Sequence, residues 1–121
     1  MPCYQMLIYP VTDSGCSTGS ANLYMDTPEF NGYGNRMMWK IYLADGDHGI
    51  PQYAAPFLAQ DLGGLPDAYI ETAEFDPLHD EGVAYARRLE ENGVKTELNQ
   101  TRGSYHGFDI KADRPYAKRA L

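Results

Sequence analysis

Residues 67–93 constrain the fold more than any other part of the chain. Asp67 to Glu74 reads as a strand, because Tyr69, Ile70 and Thr72 favour extended backbone. It stops at Phe75-Asp76-Pro77, where a proline ends ladder pairing. Asp80 to Asn92 then reads as a helix. Val83, Ala86 and Leu89 mark its turns, and Tyr85 and Leu89 sit four apart on one face. Asp80 and Glu81 suit the positive end of its dipole, and Gly93 suits a left-handed C-cap. Residues 94–100 read as another strand, half-polar and so expected near a sheet edge. A strand, a helix and a strand joined this tightly require a parallel pair with a right-handed crossover.

The rest of the chain extends this pattern. Residues 5–9, from Gln5 through Met6, Leu7 and Ile8 to Tyr9, form a short apolar run closed by Pro10. Both faces are apolar, so the run is expected to be a buried parallel strand. A central strand so close to the first residue leads us to expect further sequence upstream. Residues 13–34 are rich in Ser, Thr, Gly, Asn and Asp and read as a long irregular loop. Residues 35–44 read as a helix capped by Asn35, with Met38, Ile41 and Tyr42 at helical spacing and Asp45-Gly46 as its stop. Residues 47–66 read as loop, broken by Pro51, Pro56 and Pro66 and pinned to the core by Phe57 and Leu58. A terminal helix is expected over residues 114–121, with Pro115 in its first turn. The fold class is therefore α/β, one domain over residues 1–121, with three parallel strands and flanking helices.

Composition removes several classes of function. The net charge is −7 and the basic residues are scattered, so no stripe exists to neutralise phosphates; nucleic acid and anionic membranes are poor partners. Cys3 and Cys16 lack metal-ligand spacing, and no His/Cys cluster accompanies them. No run approaches the length of a membrane span, and the first nine residues do not resemble a signal peptide. A reducing, cytoplasmic setting is the expectation, with no metal and no cofactor.

Two short motifs carry chemistry. Asp76 stands just after one strand, and His106, in Ser104-Tyr105-His106-Gly107-Phe108, stands just after the next. A carboxylate that orients an imidazole is the acid-and-base half of a hydrolytic triad. It needs a nucleophile and an oxyanion hole to complete it. A lone loop histidine is ordinarily a solvated or packed side chain; the paired Asp76 is what gives His106 weight.

These residues resemble the C-terminal part of an α/β-hydrolase of the hormone-sensitive-lipase-like branch, the bacterial carboxylesterase and acetyl-esterase group. Asp76-Pro77-Leu78 with Asp80-Glu81-Gly82 is similar to that family's acid motif, and His106-Gly107-Phe108 to its histidine motif. Leu7-Ile8-Tyr9-Pro10 with Asp13 resembles its sixth strand and exit. Trp39 with Tyr42-Leu43 resembles a helix of similar aromatic pattern. Ala55-Pro56 and Asp61-Leu62-Gly63-Gly64-Leu65-Pro66 resemble the loop into the seventh strand. The resemblance implies a partial hydrolase fold made of the family's last three strands, with Asp76 as triad acid and His106 as general base. It implies no metal or cofactor, and a small carboxylic ester as substrate of the intact enzyme.

The family's His-Gly-Gly oxyanion loop has no match in this sequence. Gly15-Cys16-Ser17-Thr18-Gly19 fits the nucleophile pattern Gly-x-Ser-x-Gly, but Pro10 and further residues separate it from the preceding strand, whereas a nucleophile elbow follows a strand directly. Ser17 is therefore read as a loop serine. His48 with Asp45 and Asp47 reads as a solvated turn, His79 and Asp80 as the first turn of a helix, and Ser104 as a serine with no elbow around it. Two functions remain open. The chain is part of a short-chain esterase whose upstream half is supplied elsewhere or was lost, and is inactive alone. Alternatively it is a non-catalytic remnant that self-associates, as a homodimer, through the open edge from Gln5 to Tyr9.

Overall fold

A computed structural model describes residues 2–110 of the chain. The expected helix over residues 114–121 lies outside the described residues. Three parallel strands form one sheet in the order β1 (Tyr4–Ile8), β2 (Asp67–Ala73), β3 (Thr96–Thr101). Leu7 pairs with Ile70 and Ile70 with Leu98, so an apolar row crosses the sheet. Helix α4 (His79–Glu91) lays Tyr85, Ala86 and Leu89 on this row, and with Leu62, Ala68 and Val94 they make the main core. The helix ends where expected: Gly93 sits at φ +79°, in the region that suits glycine.

The N-terminal third departs from the expected layout. β1 is not buried: Tyr4, Met6 and Ile8 are 50%, 67% and 39% exposed, because β1 is the sheet's outer strand and nothing among the described residues pairs with its far side. Residues 13–34 are not one irregular loop. A short helix, α1 (Gly19–Leu23), lies inside them, with the Thr18 side chain accepting from the Ala21 N–H. α2 (Gly32–Tyr42) begins earlier than expected, and its cap is Asn31, whose side chain accepts from Gly34 N at 2.9 Å. Asn35 is buried within the helix instead. Gly32 permits this early start, since a Cβ there would stand 2.7 Å from the Ala21 carbonyl oxygen.

Residues 47–66 carry α3 (Pro51–Ala54) and a 3-10 turn at Pro56–Leu58. Phe57 packs on the core as expected, but Leu58 is exposed. Arg88 of α4 fastens this segment by donating to the Phe57 and Ala59 carbonyls, with its guanidinium 5.2 Å from the Phe57 ring centre. β3 is an edge strand with exposed polar side chains, as its half-polar sequence indicated. Among the described residues no helix is long and apolar enough to cross a membrane.

Candidate active site

The sheet delivers two loops to the same end. β2 runs out at Ala73, and the chain turns through Asp76-Pro77 into α4. The Asp76 carboxylate is 1% exposed, and its Oδ1 accepts from Leu78 N at 2.8 Å. This local turn fixes the carboxylate before α4 begins. The loop after β3 is stitched to the exit of β2. Phe75 N donates to the Ser104 carbonyl at 2.9 Å, and Gly103 N donates to Glu74 Oε2 at 2.6 Å. Gly107, at φ +70°, then turns the chain away from His106.

The outcome is a hydrogen-bonded pair. His106 Nδ1 stands 2.8 Å from Asp76 Oδ2, with the imidazole 26% exposed. An ionised carboxylate at that position favours the proton on Nδ1, which leaves Nε2 able to accept one. A buried carboxylate beside a partly exposed imidazole whose second nitrogen can accept a proton is what a general base requires. The two residues singled out for chemistry in the sequence are therefore brought together, on loops at the C-terminal ends of adjacent parallel strands, where α/β sheets place their sites.

The other candidates are dispersed. Ser17 is exposed, two residues past a turn in which Gly15 N donates to Asp13 Oδ1 at 2.8 Å, with no strand leading directly into it. Ser104 is buried and spends its hydroxyl on the Thr101 carbonyl at 2.6 Å. His79 and Asp80 do open α4, and they make a second His–Asp contact, with Nδ1 2.9 Å from Asp80 Oδ1. Its Nε2 is occupied by Gln100 Oε1 at 3.1 Å, so this imidazole is spent on structure. His48 is exposed in a tight turn, and no metal-sized cluster of His, Cys, Asp or Glu occurs among the described residues.

Sequence reasoning passed over three residues. Tyr9 and Phe30 place their rings 5.0 and 4.8 Å from the imidazole of His106. Glu81 is 1% exposed, and its Oε1 accepts from Thr12 N at 2.7 Å and Asp13 N at 3.2 Å. It thereby ties the exit of β1 to α4. Burial pushes its carboxyl up to about 7, against the opposing pull of the hydrogen bonds from Thr12 and Asp13. A run of two acids at the start of a helix gives no signal that one of them faces inward.

This architecture is that of a known family. A family model described as alpha/beta hydrolase fold matches residues 1–110, and the chain belongs to that family. The ethyl acetate hydrolase of Pseudomonas putida is 34% identical over 107 residues, covering 88% of this chain and 34% of that protein. Carboxylesterase NlhH of Mycobacterium tuberculosis is 38% identical over 109 residues, again over 34% of its own length. A solved structure titled bacterial heroin esterase superposes with a TM-score of 0.89 at 37% identity, over 98% of this chain and 39% of that one. The chain thus spans about a third of the length of these two curated relatives.

Proposed function

We propose that this chain supplies the acid and base, Asp76 and His106, of a serine carboxylic-ester hydrolase acting on small carboxylic esters. The nucleophile and oxyanion hole come from residues beyond these 121. The observation that carries the reading is the 2.8 Å contact between His106 Nδ1 and Asp76 Oδ2, in a chain whose family relatives hydrolyse esters. In the assembled enzyme His106 Nε2 takes the proton as a serine oxygen attacks the ester carbonyl. It returns that proton to the departing alcohol, then repeats both transfers with water as the attacking group. Asp76 holds the tautomer and stabilises the imidazolium formed in each half-reaction. This chemistry calls for no metal or cofactor. The free thiols Cys3 and Cys16 suit the reducing, cytoplasmic setting that we include in this proposal.

The test has two arms. The chain alone, offered a short-chain nitrophenyl ester and a fluorophosphonate, should show negligible turnover and no covalent label. Co-expressed with the upstream portion of a family carboxylesterase, it should restore labelling of that portion's serine, and His106→Ala should abolish the restoration. Stoichiometric labelling of the isolated chain would overturn the division of labour proposed here.

One observation also fits a second reading, a non-catalytic domain that self-associates. Among the described residues β1 presents an open edge, with Tyr4, Met6 and Ile8 exposed on one face. Two copies pairing through β1 would cover that edge. An upstream strand of the same hydrolase would cover it equally well, so restored serine labelling on co-expression with that upstream portion, and not the oligomeric state of the isolated chain, separates the two.

A further inference from the structure

His106 is held by more than its carboxylate. One hydrogen bond at Nδ1, added to the covalent bond at Cγ, still leaves the imidazole room to tilt about the line through those two points. Two further rings restrict that tilt. Tyr9 lies with its ring centre 5.0 Å from that of His106 and inclined by 49°; Phe30 lies at 4.8 Å, inclined by 39°. Neither belongs to the strands whose loops carry the pair. Tyr9 follows β1, and Phe30 lies in the loop before α2.

Tyr9 occupies this place at a conformational cost. Its φ is +49°, a backbone region that a bulky aromatic residue rarely adopts. Two contacts hold it there: its N–H donates to the Glu71 carbonyl at 2.9 Å, and its ring packs edge-on against Phe108 at 5.9 Å. Its hydroxyl, separately, donates to Asp109 Oδ1 at 3.0 Å. The hydroxyl stays protonated, because burial and the neighbouring Asp109 both push its pKa well up. It therefore remains a donor and ties the segment just beyond His106 back to the exit of β1. Backbone outliers that the surroundings over-determine are concentrated at working sites.

We propose that Tyr9 and Phe30 are positioning residues, an aromatic cradle that keeps the His106 ring in the orientation its bond to Asp76 requires. This rests on the reading of Asp76 and His106 as acid and base. The cradle acts through ring contact, whereas the Tyr9 hydroxyl serves to anchor Asp109.

Nitrogen-15 NMR of the full chain tests this without any esterase activity. The parent should show a downfield His106 Nδ1–H resonance that Asp76→Ala removes. Phe30→Leu and Tyr9→Leu should each speed exchange of that proton with water by about tenfold or more, and mix the two ring tautomers. Tyr9→Phe, which keeps the ring and loses only the hydroxyl, should leave tautomer and resonance as in the parent. If Tyr9→Leu fails to fold, Phe30→Leu, a half-buried loop position, carries the test. Unchanged exchange in a well-dispersed Phe30→Leu spectrum would overturn the cradle alone. A parent without an Asp76-dependent resonance would overturn the acid–base reading, and this inference with it.

Discussion

Asp76 divides its carboxylate between His106 and its own turn: Oδ2 faces His106 Nδ1 at 2.8 Å while Oδ1 accepts from Leu78 N at 2.8 Å. The same group that orients the imidazole also closes the turn that precedes α4. Asp76→Ala should therefore remove two bonds to a buried charged group and leave the Leu78 N–H without its side-chain acceptor. Urea denaturation should show a loss of about 2–3 kcal/mol. Asp76→Asn keeps the oxygen for Leu78 and should cost less stability. It presents an amide N–H or a neutral oxygen to Nδ1, and in the complemented enzyme kcat should fall by roughly 10⁴, the scale set by an Asp→Asn change in a known triad. Equal stability losses for the two variants would show that the Leu78 bond contributes nothing.

Glu81 should make stability fall as pH rises. Its carboxyl is buried and raised from an ordinary 4.5 to about 7, so the folded chain keeps a proton that the unfolded chain releases. Between those values the unfolded state binds fewer protons, and unfolding becomes easier with each step upward. The contribution is complete below about 4.5 and gone above about 7, a change of order 2 kcal/mol between pH 5 and pH 8. Glu81→Gln keeps an acceptor for the Thr12 and Asp13 N–H groups and cannot ionise. Denaturation curves at the two pH values should differ less for the variant than for the parent. An identical pH dependence in both would assign the effect to another group.

Two glycines should respond in opposite directions. A Cβ on Gly82 would stand 2.7 Å from Thr72 Cγ2 and 3.7 Å from Pro10 Cγ, where α4 closes on β2. Gly82→Ala should push the helix off the sheet and cost about 1–3 kcal/mol. Gly34 lies in α2, and a Cβ there meets nothing nearer than Asn31 Oδ1 at 3.5 Å. Gly34→Ala should stabilise by about 0.5 kcal/mol through helix propensity. Thermal melts of the two variants check both signs together.

The parts of this chain that could be read from its sequence are those whose signals are local. The start and stop of α4 are carried by Asp80, Glu81 and Gly93, all within the element they mark or just past its end. Asp76 and His106 each stand in the loop that follows a strand, and the parallel order of β2 and β3 brings them together. Where the decisive contact is distant, the reading fails. Asn31 and Asn35 are equally good caps by type, and only Gly32, which must fit under Ala21 and Met25, decides between them. Two apolar faces on residues 5–9 imply a buried strand, yet burial depends on a neighbour outside the described sheet. Tyr9, Phe30 and Glu81 join the site through contacts spanning 97, 76 and 69 positions (106 − 9, 106 − 30 and 81 − 12), and nothing in their immediate surroundings announces it.

β1 should prove the adhesive part of the molecule. Its far edge offers unpaired backbone N–H and C=O groups among the described residues, beside an exposed row of Tyr4, Met6 and Ile8. Such an edge pairs with another strand when nothing prevents it. At micromolar concentration the isolated chain should scatter light as a dimer. Met6 is 67% exposed, so Met6→Lys should change stability by no more than about 0.5 kcal/mol while placing a charge at the centre of the contact. The variant should run as a monomer. It should also recruit the upstream portion of a carboxylesterase less well if both partners use the same edge. A parent that is monomeric throughout would exclude self-association and leave the upstream portion as the occupant of β1. A Met6→Lys variant that remains dimeric would move the interface away from β1.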